Sequence, residues 1–178
     1  AYASASNLVG YWRMGSGTLD SYPLIADQTN ATLGSELVTN GDFATDSNWT
    51  KGTGWTISGG SANCDGTQSG NTGLVQQNGI LGVTLDLIVG KAYKMQFDAT
   101  VSSGFITNIE VGGNYNNDNI TTTNSYTLYF VPSSTNDRIT FTANPDFVGS
   151  IDNVTVKKVN GNPAIMTNQT SSDIENGS

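Results

Sequence analysis

Apolar and polar residues alternate by two along much of this chain, and no segment keeps the period of a helix over a helix's length. In KAYKMQFDATV, Tyr93, Met95, Phe97, Ala99 and Val101 fall on one face, with Lys94, Gln96, Asp98 and Thr100 on the other. SYTLYFV sets Tyr126, Leu128 and Phe130 against Thr127, Tyr129 and Val131. RITFTA lines up Ile139, Phe141 and Ala143. FITNIEV puts Phe105, Ile109 and Val111 together, with Asn108 and Glu110 opposite. VGSIDNVTVKKV aligns Val148, Val154 and Val156, which predicts Asp152 on the same inward face. Between these runs lie turn sequences such as ISGGS, DGTQSGN, VGGNYNNDN and VPSSTND. The pattern predicts roughly eight to ten strands between residues 36 and 159, an all-β antiparallel β-sandwich of the jelly-roll type.

Both ends break the pattern. Residues 1–35 hold the cluster LVGYWRM and then a turn-rich stretch, and residues 160–178 are polar around Ala164, Ile165 and Met166. Neither can bury a core alone, so they read as extended N- and C-terminal arms. LVGYWRM is too large an apolar patch to leave in water, which suits packing against neighbouring chains or domains. The chain reads as a module of a larger protein.

Composition narrows the function. Charged residues are 12% of the chain, about half the usual quarter, and uncharged polar residues take their place. The net charge is −8 with only seven Lys and Arg, so neither nucleic acid nor an anionic membrane surface is an expected partner. No apolar run approaches the roughly 18 residues of a membrane span, and AYASASN is not a signal peptide. There is no histidine, and Cys64 is the single cysteine, so an internal disulfide and the commonest general base are both absent. Strand alternation makes Cys64 a small buried hydrophobe rather than a nucleophile. Glu36, Glu110 and Glu175 form no evident acid/base pair, and no enzyme is expected.

Three segments then carry a resemblance: ELVTNGDFATDSNWT, LIVGKAYKMQFDATV and FVGSIDNVTVKKV. Their order resembles carbohydrate-binding modules of the family-four and family-nine kind over residues 36–159. Those modules open on Asn-Gly-x-Phe before a Trp, here Asn40 to Phe43 with Trp49, and close on IDNV, here Ile151 to Val154. The flanks NLVGYWRMGSGTLDSYPLIADQTNATLG and GNPAIMTNQTSSDI look like pieces of laminin-G-like repeats. The mosaic is similar in style to bacteriophage structural proteins such as tail fibres and head decorations. It implies a virion location, other virion proteins as partners, and a homo-oligomer such as a trimer.

The resemblance also implies ligands. A structural calcium between first and last strands would fall to Asp42 and Asp152, with the Asn40 carbonyl nearby, although Ala44 stands where the family often has Glu. Backbone N–H groups or hydroxyls are the metal-free way to satisfy Asp152. Glycans would need aromatic faces and planar polar groups. Tyr129, Asn108, Glu110 and Gln96 are candidates on outward strand faces, Tyr115 lies in the Gly/Asn loop, and Trp49 is a candidate platform. Trp55 is in step with Ile57 and reads as core. Two functions follow: a non-catalytic adhesion module binding glycans weakly and multivalently, or a purely structural decoration module with no sugar binding.

Overall fold

The computed structural model of the protein describes residues 24–25, 32–135, 137–160 and 164–165. The LVGYWRM cluster and most of the laminin-G-like flanks lie outside the described residues. In chain order the strands are β1 (Leu24–Ile25), β2 (Leu33–Glu36), β3 (Thr50–Lys51), β4 (Trp55–Ser58), β5 (Ser61–Asp65), β6 (Thr72–Gln77), β7 (Tyr93–Ser103), β8 (Ile106–Val111), β9 (Asn114–Asn116), β10 (Asn124–Phe130), β11 (Arg138–Ala143), β12 (Val148–Val159) and β13 (Ala164–Ile165).

The chain divides into two units, residues 1–35 with 158–178, and residues 36–157. In the first, β1 and β13 pair antiparallel, with Leu24 opposite Ile165. The second is a sandwich of two antiparallel sheets. The first sheet runs β10-β7-β12-β5-β4, with β2 also on β12, and the second runs β3-β6-β11-β8-β9. After β5 the chain changes sheet at almost every connection, as a jelly roll does.

The alternation read from sequence holds along β7 and β11. Tyr93, Met95, Phe97 and Ala99 are buried, as are Ile139, Phe141 and Ala143. Two bulges break it elsewhere. In β8, Asn108 faces Thr142 while Ile106 faces Ala143, so Thr107 is an extra residue. Ile106 therefore enters the core in place of the expected Phe105. In β12, Ile151 and Val154 are both buried with two residues between them, and Asn153 sits at φ 51°. Asp152 is consequently not in line with Val154 on the inward face; it lies half-buried at the bulge.

Trp49 is core, which overturns its reading as a platform. It is 2% exposed, and its indole Nε1 donates to the Asn40 carbonyl at 3.0 Å. Its ring belongs to a continuous line: Phe43–Trp49 at 5.2 Å, Trp49–Phe141 at 6.4 Å, Phe141–Phe97 at 5.1 Å and Phe97–Tyr126 at 5.2 Å between centroids. That line ties the loop after β2 to both sheets, and such ring pairs add to simple burial. Trp55 is buried as expected and packs on Phe147.

The loop that presents Phe43 and Trp49 is held by polar groups. Gln76 is fully buried; its Oε1 accepts from Thr39 N and its Nε2 donates to Thr39 O. Gly41 lies so close to β12 that a Cβ there would be 2.0 Å from the Val154 carbonyl oxygen, while its own carbonyl accepts from Val154 N at 2.8 Å. Gly41→Ala must push the loop off β12. It should cost about 3 kcal/mol or more, the range of a disrupted close backbone contact, read as a fall in the denaturant midpoint at unchanged slope.

Candidate functional site

The outer face of the second sheet gathers three of the predicted sugar-binding residues. Register places Tyr115 opposite Glu110, Glu110 opposite Thr140, Thr140 opposite Val75, and Val75 opposite Thr50, one row across all five strands. Asn108 belongs to the next row, opposite Thr142. Arg138 lies at the other side of Thr140, opposite Gln77. Gly112 and Gly113, both at positive φ, make the tight hairpin that returns β9 along β8. Tyr115 is therefore on an edge strand rather than in a long loop, and it is 53% exposed.

Glu110 faces outward but is not open to solvent. It is 2% exposed, and its Oε2 accepts from both Nε and Nη2 of Arg138, the former at 2.9 Å. The Arg138 side chain is a third exposed. Thr140 Oγ1, between them in the sheet, is buried without a hydrogen-bond partner. The floor of this face is thus a neutralised ion pair under a partly open guanidinium. Glu110 is therefore covered by its partner rather than open to a ligand, unlike the outward candidate expected from alternation. Arg138 was missed, although RITFTA places it on the outward side with Thr140 and Thr142.

Gln96 and Tyr129 lie elsewhere, on the outer face of the first sheet. Gln96 faces Thr127 and donates to its Oγ1 at 3.3 Å, and Tyr129 faces Lys94. The predicted residues therefore form no single site: Tyr115, Asn108 and Glu110 share one face, Gln96 and Tyr129 the opposite one, and Trp49 lies between them.

The residues expected at calcium come together in part. Asp152 loses water at the bulge, and the charges of Asp98 and Asp42 oppose its own, so its carboxyl is pushed above the ordinary carboxylate range. Its Oδ1 accepts from Asn153 N at 2.6 Å. Asn40's carbonyl already accepts from Phe43 N and Trp49 Nε1, which uses both lone pairs and removes it as a ligand. Among the described residues no group of three or more acidic, histidine or cysteine side chains is placed to hold a metal ion.

Arg138→Ala takes the guanidinium from a buried carboxylate. It should destabilise the fold by roughly 2–3 kcal/mol, less than a fully buried pair because Arg138 is partly in water. Thermal unfolding of this variant beside Arg138→Lys checks it, with Lys restoring part of the loss.

No protein-family model matches the sequence, and no curated protein matches it. Solved structures do. A domain described as enzymatically active, from tailspike protein 4 of bacteriophage CBA120, is 22% identical over 69% of this chain, with a TM-score of 0.49. The match covers 21% of that tailspike chain. The CBM22-1 xylan-binding domain of Paenibacillus barcinonensis Xyn10C is 12% identical over 74% of this chain and 99% of its own, also at 0.49. The N-terminal cellulose-binding domain of Cellulomonas fimi β-1,4-glucanase C is 16% identical over 76% of this chain and 100% of its own, at 0.40. None of these likenesses is close enough to carry a function across.

Proposed function

We propose that this protein is a non-catalytic glycan-binding module displayed on a virion, and that it binds neutral polysaccharide on the outer face of its second sheet. The observation that carries the reading is Tyr115, an aromatic ring 53% exposed on an edge strand, directly across from buried Glu110, whose ion pair presents a partly open Arg138. Tyr115 offers a face to a pyranose ring. Asn108 and Arg138 offer planar donors to hydroxyls. Glu110 cancels the Arg138 charge, which suits an uncharged ligand. Such a site is shallow, so useful affinity comes from several copies acting together. The virion setting rests on the module order and style of the sequence.

The purely structural reading has its own observation. Ile80, Leu81, Ile88 and Val89 are each 44–56% exposed in the connection between β6 and β7. Those side chains suit burial against a neighbour in an assembly.

Pull-down on insoluble cellulose, xylan and mannan separates the two. Tyr115→Ala should weaken retention about tenfold, the loss of roughly 1.4 kcal/mol, with an unchanged melting temperature because the side chain is exposed. Retention equal to the parent, or none by the parent in multivalent form, would count against the glycan reading.

The same reading gives calcium to Asp42 and Asp152, whose hard oxygen ligands suit it. Because Asp152 is held above its ordinary value, its contribution to stability is complete in acid and is lost as the pH rises through the raised value. Asp152→Asn should therefore raise the melting temperature at neutral pH without calcium, on the order of 2 °C, and the gain should vanish in acid. Added calcium should stabilise the parent and leave Asp152→Asn unmoved. A parent indifferent to calcium and chelator would remove the ion.

A further inference from the structure

On the side of the sandwich away from Tyr115, the outer face of the first sheet carries a depression of about 310 Å³. Gln96, Asp98, Ser125, Thr127, Asn153 and Thr155 line it together with Phe97 and Tyr126, drawn from β7, β10 and β12. We propose that this groove is a second binding site for neutral glycan, so that one chain grips saccharide on both faces. The proposal shares the ligand class of the reading above and none of its residues.

The bulge in β12 is what builds the groove's charged end. It leaves Asn153 in the left-handed region and aims its Nδ2 across the sheet at Asp98 Oδ2, 2.8 Å away. Ser125 Oγ donates to the other oxygen, Oδ1. These two bonds hold the Asp98 carboxyl below its ordinary range, so it is an ionised acceptor at neutral pH. A carboxylate has about four acceptor positions, and these two bonds leave the others for a ligand. Gln96 and Thr127, already joined, extend the line of planar and hydroxyl groups, and Tyr129 continues it two residues further along β10.

The lining decides the occupant. Among the lining side chains Asp98 is the one charge, and it repels phosphate, nucleic acid and acidic sugars. Phe97 and Tyr126 border it with rings stacked on one another at 5.2 Å and packed with the core, and none of the large exposed hydrophobic residues belongs to it. Among the described residues no cluster is set for a metal. The size is at the small end of ligand sites, about 300–1,000 Å³. A neutral polyhydroxyl chain satisfies all of these, since vicinal hydroxyls bond to planar carboxamide and carboxylate groups.

Amide shifts of the ¹⁵N-labelled protein should be followed during titration with β-1,4-linked glucose, xylose and mannose hexasaccharides. The expected result is a group of shifted amides at residues 96–98, 125–129 and 153–155, separate from any group at residues 108–115 and 138–142. Tyr115→Ala should leave the first group in place. Thr127→Trp, which fills the groove from an exposed position, should weaken it about tenfold or more. Gln96→Ala is the milder partner and should weaken it about threefold without risk to the fold. Shifts confined to residues 108–115 and 138–142 would overturn the second site and leave the first standing. Shifts confined to the groove would do the reverse. No shift with any of the three saccharides overturns both.

Discussion

A line of five rings joins the two sheets. Phe43, Trp49, Phe141, Phe97 and Tyr126 touch in succession from the loop after β2, through the second sheet, to the edge strand of the first. A chain with few charges and many turns has few other means of fixing how two sheets face each other. Aliphatic side chains bury area without direction, whereas ring pairs fix both separation and tilt. The loop at the start of the line is under the tightest constraint. Gly41 lies against the Val154 carbonyl, and Gln76 clasps Thr39, so Phe43 and Trp49 enter the core at a set angle.

With the core so arranged, each sheet presents a polar outer face of different chemistry. The second sheet offers an exposed tyrosine beside a neutralised ion pair. The first offers small hydroxyls and amides around one ionised carboxylate. Arginine and glutamate cooperate on the one, asparagine and aspartate on the other. Both arrangements come from residues that face away from the core, so they could vary without disturbing the rings.

Sequence alone told a good deal of this. The alternation in KAYKMQFDATV and RITFTA predicted the burial of β7 and β11, because regular strands obey a period of two. It placed Trp55 in the core for the same reason. It failed where the period changes. The bulges at Thr107 and at Asp152–Asn153 depend on partners far along the chain, so Phe105 and Asp152 were assigned to the wrong face. Trp49 stayed a candidate platform because its neighbours are turn residues; it is buried against Phe43 and against Phe141, distant in sequence. Alternation placed Asn108, Glu110, Gln96 and Tyr129 away from the core, yet it could not show that Glu110 would be covered, or that Gln96 and Tyr129 would lie apart from Tyr115.

The way β2 and β12 run together has a mechanical meaning. Asn160 N donates to Thr32 O, and Leu37 N donates to Val156 O, so the two strands are antiparallel and both lead out at one end. Tension applied through residues 32 and 160 loads these bonds one after another rather than together. Such a seam opens bond by bond, like a zipper. It meets a stop at Glu36, whose Oε1 accepts from Leu37 N, Val38 N and Val156 N at once. Chain drawn out from residues 32 and 160 would therefore come free of this seam before the bonds at Glu36 bear load.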